Sequence, residues 1–187
     1  MHARNPDSCG YAVNAGVRIY YEVHGDAGPT VVLLPTWSIA DSRTWKMQVP
    51  YLSRHYRVVR YDPRGNGRSD RPADAAAYDE REFAADALAV LDATSTERAA
   101  IVGFSLGGQR GVLLAADHPE RVEAAAFIGP SIPLAPPHSF RVLSEFDARH
   151  ETFEGWQKYN REYWLLDYPD FVEFFLTEMF PEPHSTK

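Results

Sequence analysis

Gly103-Phe104-Ser105-Leu106-Gly107-Gly108 sets one serine among three glycines, and the chain changes character across it. Ahead of it, Ala99-Ala100-Ile101-Val102 reads as a short buried strand, because an unbroken apolar run suits a strand covered on both faces. Behind it, Gln109 to Ala116 carries Val112, Leu113 and Ala116 at helical spacing. A strand that passes directly into a helix must turn sharply, and small residues on both sides of the apex allow that turn. Such an elbow holds its apical side chain up and exposed, which makes Ser105 the candidate nucleophile. A glycine-rich turn that merely closes a strand-helix connection is the competing reading of the GxSxGG pattern. The flanking strand and helix favour the nucleophile.

The rest of the chain extends the alternation. Tyr11 to Asn14 and Val17 to His24 predict a hairpin with Ala15-Gly16 at its turn, Ile19-Tyr20-Tyr21 being rich in strand formers. Thr30 to Leu34 follows as a strand, then a helix between Ser42 and Ser53 with Pro50 disrupting its second half, then a strand from Tyr56 to Tyr61. Asp79-Glu80-Arg81-Glu82 opens a helix with acids in its first turn, where they suit the dipole, and Phe83, Ala87, Val90 and Leu91 make its buried face. Val122 to Ile128 is a further strand. Strands and helices in alternation after a hairpin predict an α/β fold, a mostly parallel sheet flanked by helices.

From Gly129 the alternation ends, since Pro130, Pro133, Pro136 and Pro137 crowd a linker-like segment. Residues 1–130 are therefore read as the core and residues 131–187 as a helical segment and tail. Within the latter, Trp156, Tyr159 and Tyr163 fall at i, i+3 and i+7, and Phe171, Phe174 and Phe175 at i, i+3 and i+4, which predicts two amphipathic helices.

Several motifs around the elbow stand in a telling order. Val31-Val32-Leu33-Leu34 is followed by Pro35-Thr36-Trp37, then by Tyr61-Asp62-Pro63-Arg64-Gly65-Asn66-Gly67-Arg68-Ser69-Asp70, and, after the elbow, by Asp117-His118-Pro119-Glu120-Arg121-Val122. Together they resemble the N-terminal part of an α/β-hydrolase of the serine-nucleophile type, over most of residues 11 to 130. The resemblance makes the first motif the strand and oxyanion loop, the second the family's DxRGxGxSD loop, and the third the end of the helix after the nucleophile. It implies an oxyanion hole formed by the backbone N–H of Leu106 and by a second on the loop after Leu34, for which Trp37 is the candidate. The family commonly has His-Gly where this chain has Pro35-Thr36. For the aromatic helices it implies a cap that lines an apolar pocket over the elbow, the alternative being that the rings pack on the core.

Arg64 and Arg68 around Gly65-Asn66-Gly67 invite a phosphate-binding reading, but the Lys-Ser/Thr pair of a P-loop and the spacing of a dinucleotide fingerprint are missing. Asp62, Arg64 and Ser69 are expected to tie down their loop beside the elbow.

A serine hydroxyl is a weak nucleophile unless a base takes its proton and a third group orients that base. In the family the order is Ser, then Asp or Glu, then His. Downstream of Ser105 stand His118, His138, His150 and His184, none after a strand-like run, and Ile128 is followed by Gly129-Pro130-Ser131 with no carboxylate. The expectation is a carboxylesterase-like serine hydrolase that cleaves a carboxylic ester or similar acyl bond through an acyl-enzyme on Ser105. Its acid and base are expected in sequence after Lys187, the chain being the C-terminally incomplete front part of a longer protein. The alternative is a non-catalytic binding or interaction module, or an inactive fragment that associates into homo-oligomers through an exposed sheet edge.

Composition narrows the partners. The chain has 187 residues with 44% hydrophobic, enough for one domain with a core, and a formal charge of -7 offers no basic footprint for nucleic acid. No apolar run is long enough to cross a bilayer, and Met1 to Gly10 lacks the apolar stretch of a secretory signal. Cys9 is the sole cysteine and no His/Cys cluster suggests a metal, so a reducing, cytoplasmic setting is expected, with no cofactor and a small apolar ester-like substrate.

Overall fold

Val31 and Leu33 pack on one face of a sheet and Val32 and Leu34 on the other, the two-residue period of a strand buried on both sides. In this computed structural model, which describes residues 4–37, 39–132, 134 and 146–181, six strands make that sheet. They are β1 (Ser8–Asn14), β2 (Val17–His24), β3 (Thr30–Leu33), β4 (Arg57–Tyr61), β5 (Ala99–Phe104) and β6 (Val122–Ile128), in the order β1-β2-β4-β3-β5-β6. β2 runs antiparallel to β1 and β4, whereas β4, β3, β5 and β6 are mutually parallel. This is the mostly parallel, helix-flanked α/β sheet that the alternation of elements predicts.

One face is covered by α2 (Glu80–Ala93) and α3 (Leu106–Asp117), whose Ala87, Val90, Leu91 and Leu114 close over Val32, Leu34, Val59 and Ile101. Trp45 and Val49 cover Val31, Leu33 and Val58 on the other. β6 is the outer strand, and its Ala124, Ala125 and Ala126 are exposed.

The expected helix from Ser42 to Ser53 is instead two short pieces. Asp41 accepts a hydrogen bond from the Arg43 amide and caps a 3-10 turn at Ser42–Trp45, and α1 (Val49–Leu52) begins anew with Pro50 in its first turn. A proline there lacks only an N–H that no helical carbonyl would have accepted, so Pro50 opens a helix rather than interrupting one.

Two compact units divide the chain, Met1–Ile132 and Pro133–Lys187. Of the sequence features in the second, Pro133, Pro136, Pro137, His138, Phe140 and His184 lie outside the described residues. Trp156 and Tyr163 do not share a helix as their spacing suggests. Trp156 sits in a 3-10 turn at Gly155–Lys158 and Tyr163 in α4 (Arg161–Leu166), with extended Asn160 between them. The buried Asn160 side chain accepts from the Glu162 amide at 2.9 Å and donates to the Ala148 carbonyl at 2.8 Å, so a polar cap overrides the apolar period. Phe171, Phe174 and Phe175 do share α5 (Tyr168–Met179), where Phe171 is fully buried with its ring 4.6 Å from Trp164.

Glu22 and Arg60 face each other in the β2–β4 register and pair at 2.8 Å through the Arg60 Nε, with His24 Nε2 at 3.2 Å from the same carboxylate. The His24 hydrogen bond, ahead of Arg60 and against burial, holds the Glu22 carboxyl down at about 2 instead of 4.5. A depressed folded-state value means that the stabilisation is complete above pH 4.5 and is lost as pH falls toward about 2. The urea midpoint of the wild type should fall across that window, and Glu22→Gln should flatten this acid limb while lowering the neutral plateau. An unchanged acid limb in the variant would remove Glu22 as its source.

Candidate active site

β5 hands over to α3 through a single residue, and that residue is Ser105. Its backbone lies at φ 55° and ψ -119°, outside the helix and strand regions and in territory that favours glycine. A non-glycine residue there costs roughly 1–3 kcal/mol, so surrounding contacts must hold it. They are present: the Ser105 amide donates to the Ile128 carbonyl at 3.0 Å, and its carbonyl accepts from Gly108 at 3.0 Å and Ser131 at 3.1 Å. The last β5–β6 pair, Phe104 with Ile128, thus sits directly under the turn.

Leu106 is the first residue of α3, where the opening amides of a helix have no carbonyl of their own helix to bond. Among the described residues its N–H has no hydrogen-bond acceptor. The loop after β3 approaches this end of α3 closely. Leu34 accepts from the Trp45 indole at 3.0 Å and donates to Val102 at 2.9 Å, which fixes where the loop leaves the sheet. A Cβ on Gly107 would lie 2.7 Å from the Pro35 carbonyl oxygen, so glycine is what lets helix and loop meet. Thr36 is buried and Trp37 partly so. Ser105, Leu106 and the Pro35-Thr36-Trp37 loop are therefore brought to one place at the C-terminal ends of β3 and β5.

The Asp62 to Asp70 loop is bound to its own frame. Asp62 accepts from the Ser42 hydroxyl at 2.6 Å and from the Arg68 amide at 2.9 Å, while Ser69 donates to the Asp62 carbonyl at 2.8 Å and accepts from the Tyr20 amide at 2.9 Å. Arg64 makes a two-point pair with Asp86 of α2, Nε to Oδ2 at 2.7 Å and Nη2 to Oδ1 at 2.6 Å. Burial pushes the Asp86 carboxyl up, against the pull of Arg64 and Asn14. With its donors engaged in this way, Arg64 serves the fold.

Among the described residues, Ser105 Oγ has no hydrogen-bond partner. His24 is fully buried against Glu22, His55 stacks edge-on with Tyr51 and Tyr56, and His118 caps the end of α3 with Nδ1 3.3 Å from Glu120. In the second unit, His150 lies edge-on to Phe153. Among the described residues no three His, Cys, Asp or Glu side chains gather as a metal-ligand set, and no helix is long and apolar enough to cross a membrane.

Sequence reading missed Asp86 and Arg110, the two charged side chains buried in the helices around the elbow. The signal was present in their spacing. Asp86 falls on the apolar face between Phe83 and Val90, and Arg110 falls between Gly107 and Leu114.

Comparison with known proteins agrees with this geometry. The chain is 41% identical over 133 residues to a protein named putative carbamate hydrolase RutD from Variovorax paradoxus, a match covering 70% of this chain and 48% of that protein. A hydrolase from Pseudomonas aeruginosa superposes with a TM-score of 0.63 at 34% identity, over 71% of this chain and 49% of that one. The enol-lactonase from Burkholderia xenovorans does so with a TM-score of 0.58 at 36% identity, over 62% and 45%. The chain spans about half the length of the curated relatives it matches. The sequence profile of the alpha/beta hydrolase fold matches residues 29–172, and with that match spanning strand, elbow and helix alike, the chain belongs to the alpha/beta hydrolase fold family.

Proposed function

We propose that the protein is a serine hydrolase that cleaves a small carboxylic ester, lactone or carbamate through an acyl-enzyme on Ser105. The observation that carries the reading is the Ser105 backbone, held in a costly conformation at the strand-helix junction beside the open amide of Leu106. Strain of this kind survives where it serves a site. The names of two similar proteins, a putative carbamate hydrolase and an enol-lactonase, support an acyl carbon bearing oxygen or nitrogen as the point of attack.

In this mechanism Ser105 Oγ adds to the carbonyl carbon, and the carbonyl electrons move to oxygen. Leu106 N–H, with Trp37 N–H as the second donor, takes up the developing negative charge, each donor contributing roughly 3 kcal/mol. Collapse of the tetrahedral intermediate expels the alcohol or amine, and water then releases the acyl group by the same route. We assign the proton-transferring histidine and its carboxylate to sequence beyond Lys187. The similar proteins have about as much chain again, and a base is required for turnover.

The experiment is covalent labelling of the 187-residue protein with a fluorophosphonate, read by intact mass, alongside turnover of p-nitrophenyl acetate. Labelling should be slow, because no base activates the serine in these 187 residues, should approach one per chain only under prolonged excess probe, and should vanish in Ser105→Ala. Turnover should stay near the residual level of hydrolases lacking their base, roughly a thousand- to ten-thousand-fold over water. A Ser105→Ala variant that labels as the wild type does removes Ser105 as the nucleophile.

A further inference from the structure

Arg110 lies on the second turn of α3, only 2% exposed, with its guanidinium 3.7 Å above the centre of the Phe83 ring. Its Nε bonds Glu80 Oε2 at 2.9 Å, its Nη2 reaches Glu80 Oε1 at 3.4 Å, and its Nη1 donates to the Thr36 carbonyl at 3.1 Å. A buried cation that donates to a loop carbonyl is a specific arrangement, since burial of an unpaired arginine would be strongly destabilising. Two sides of the planar fork are fixed by the carboxylate and the ring, so the direction in which Nη1 points is fixed as well.

The carbonyl it grips belongs to the peptide that also contains the Trp37 N–H. In a trans peptide the C=O and N–H of one unit point in opposite directions within one plane. The peptide bonds of the described chain are trans. Holding the Thr36 oxygen toward Arg110 therefore turns the Trp37 N–H to the opposite side of the loop.

We propose that Arg110 is a positioning residue, which sets the orientation of the Trp37 amide through the Thr36 carbonyl and so presets the second oxyanion donor. The inference rests on the reading of Ser105 and the oxyanion loop given above. Glu80 and Phe83 belong to the same device, since one holds the Nε and Nη2 edge of the guanidinium and the other its face. The arginine touches no reacting atom. It acts on the rate of the chemical step and leaves the initial binding of substrate alone.

Arg110→Met and Arg110→Lys would be compared with the wild type in fluorophosphonate inactivation, resolved into kinact and KI. The same three proteins would be followed by amide hydrogen exchange over residues 34–40. Arg110→Met should lower kinact roughly ten- to a hundred-fold, a part of the loss seen when an oxyanion donor is deleted, with KI unchanged. Exchange should rise over residues 34–40. Arg110→Lys, which reaches either Glu80 or Thr36 with its single ammonium, should fall between and retains the fold if the methionine variant does not. Wild-type kinact and wild-type exchange in these variants overturn the proposal. Label that persists undiminished in Ser105→Ala overturns the nucleophile reading instead, and the exchange comparison then decides the positioning of the loop by itself.

Discussion

Asp86→Ala is expected to cost roughly 3 to 5 kcal/mol of folding stability, the usual penalty for stripping one partner from a buried ion pair. Asp86 is fully buried and Arg64 is 1% exposed, and their two-point contact is joined by Asn14 Nδ2 at 2.9 Å from Asp86. Without the carboxylate, Arg64 keeps Glu82 at 3.3 Å and the Ala77 carbonyl, but the Glu82 side chain is 39% exposed and screened by water. Urea unfolding of the single variant would measure the loss. The double variant Arg64→Met/Asp86→Leu should recover most of it, because apolar replacements leave no charge behind. A single-variant loss below about 1 kcal/mol, the range of exposed pairs, would mean that water reaches this pair.

Gly103→Ala is expected to disable the elbow. A Cβ at Gly103 would lie 2.6 Å from the Gly107 carbonyl carbon and 2.7 Å from the Gly108 nitrogen, both backbone atoms of the helix that follows Ser105. Backbone has no rotamer to retreat into, so the first turn of α3 must move away from β5. Overpacking of this sort costs roughly 1–3 kcal/mol, and the displacement carries Ser105 and the Leu106 amide with it. The expected result is a lowered melting temperature together with loss of fluorophosphonate labelling. A variant that melts and labels like the wild type would show that strand and helix are not in contact at this point.

Much of this was legible because local chemistry dictated it. The glycines around Ser105 marked a turn that only small residues permit, and the apolar run before it could be buried on both faces only in the middle of a sheet. The acids at Glu80 and Glu82 marked the start of α2, where Asp79 indeed accepts from the Arg81 amide at 2.8 Å. What escaped depended on distant partners. Asp86 and Arg110 look like solvated helix positions until Arg64 and Thr36, 22 and 74 residues away, come to meet them. The aromatic period from Trp156 to Tyr163 suggested one helix, and the Asn160 cap, whose partner Ala148 lies 12 residues upstream, broke it. The Ser42 to Ser53 segment failed for a local reason, since proline reads alike from either side in sequence but is tolerated only at a helix start.

The bonds that hold Ser105 also set the order in which the site can be assembled. Its amide and carbonyl are secured by Ile128 and Ser131, residues that leave the ribosome after α3 and after the helical end at Asp117. A nascent chain exposed only through α3 has the serine, its glycines and the Gly108 bond but not the Ile128 and Ser131 bonds that help keep φ at 55°. Parallel pairing of β5 with β6 must close a loop of more than a dozen residues before those restraints exist, a non-local step that is slow compared with forming the hairpin of β1 and β2. Ser105 therefore takes its shape late, when the sixth strand docks.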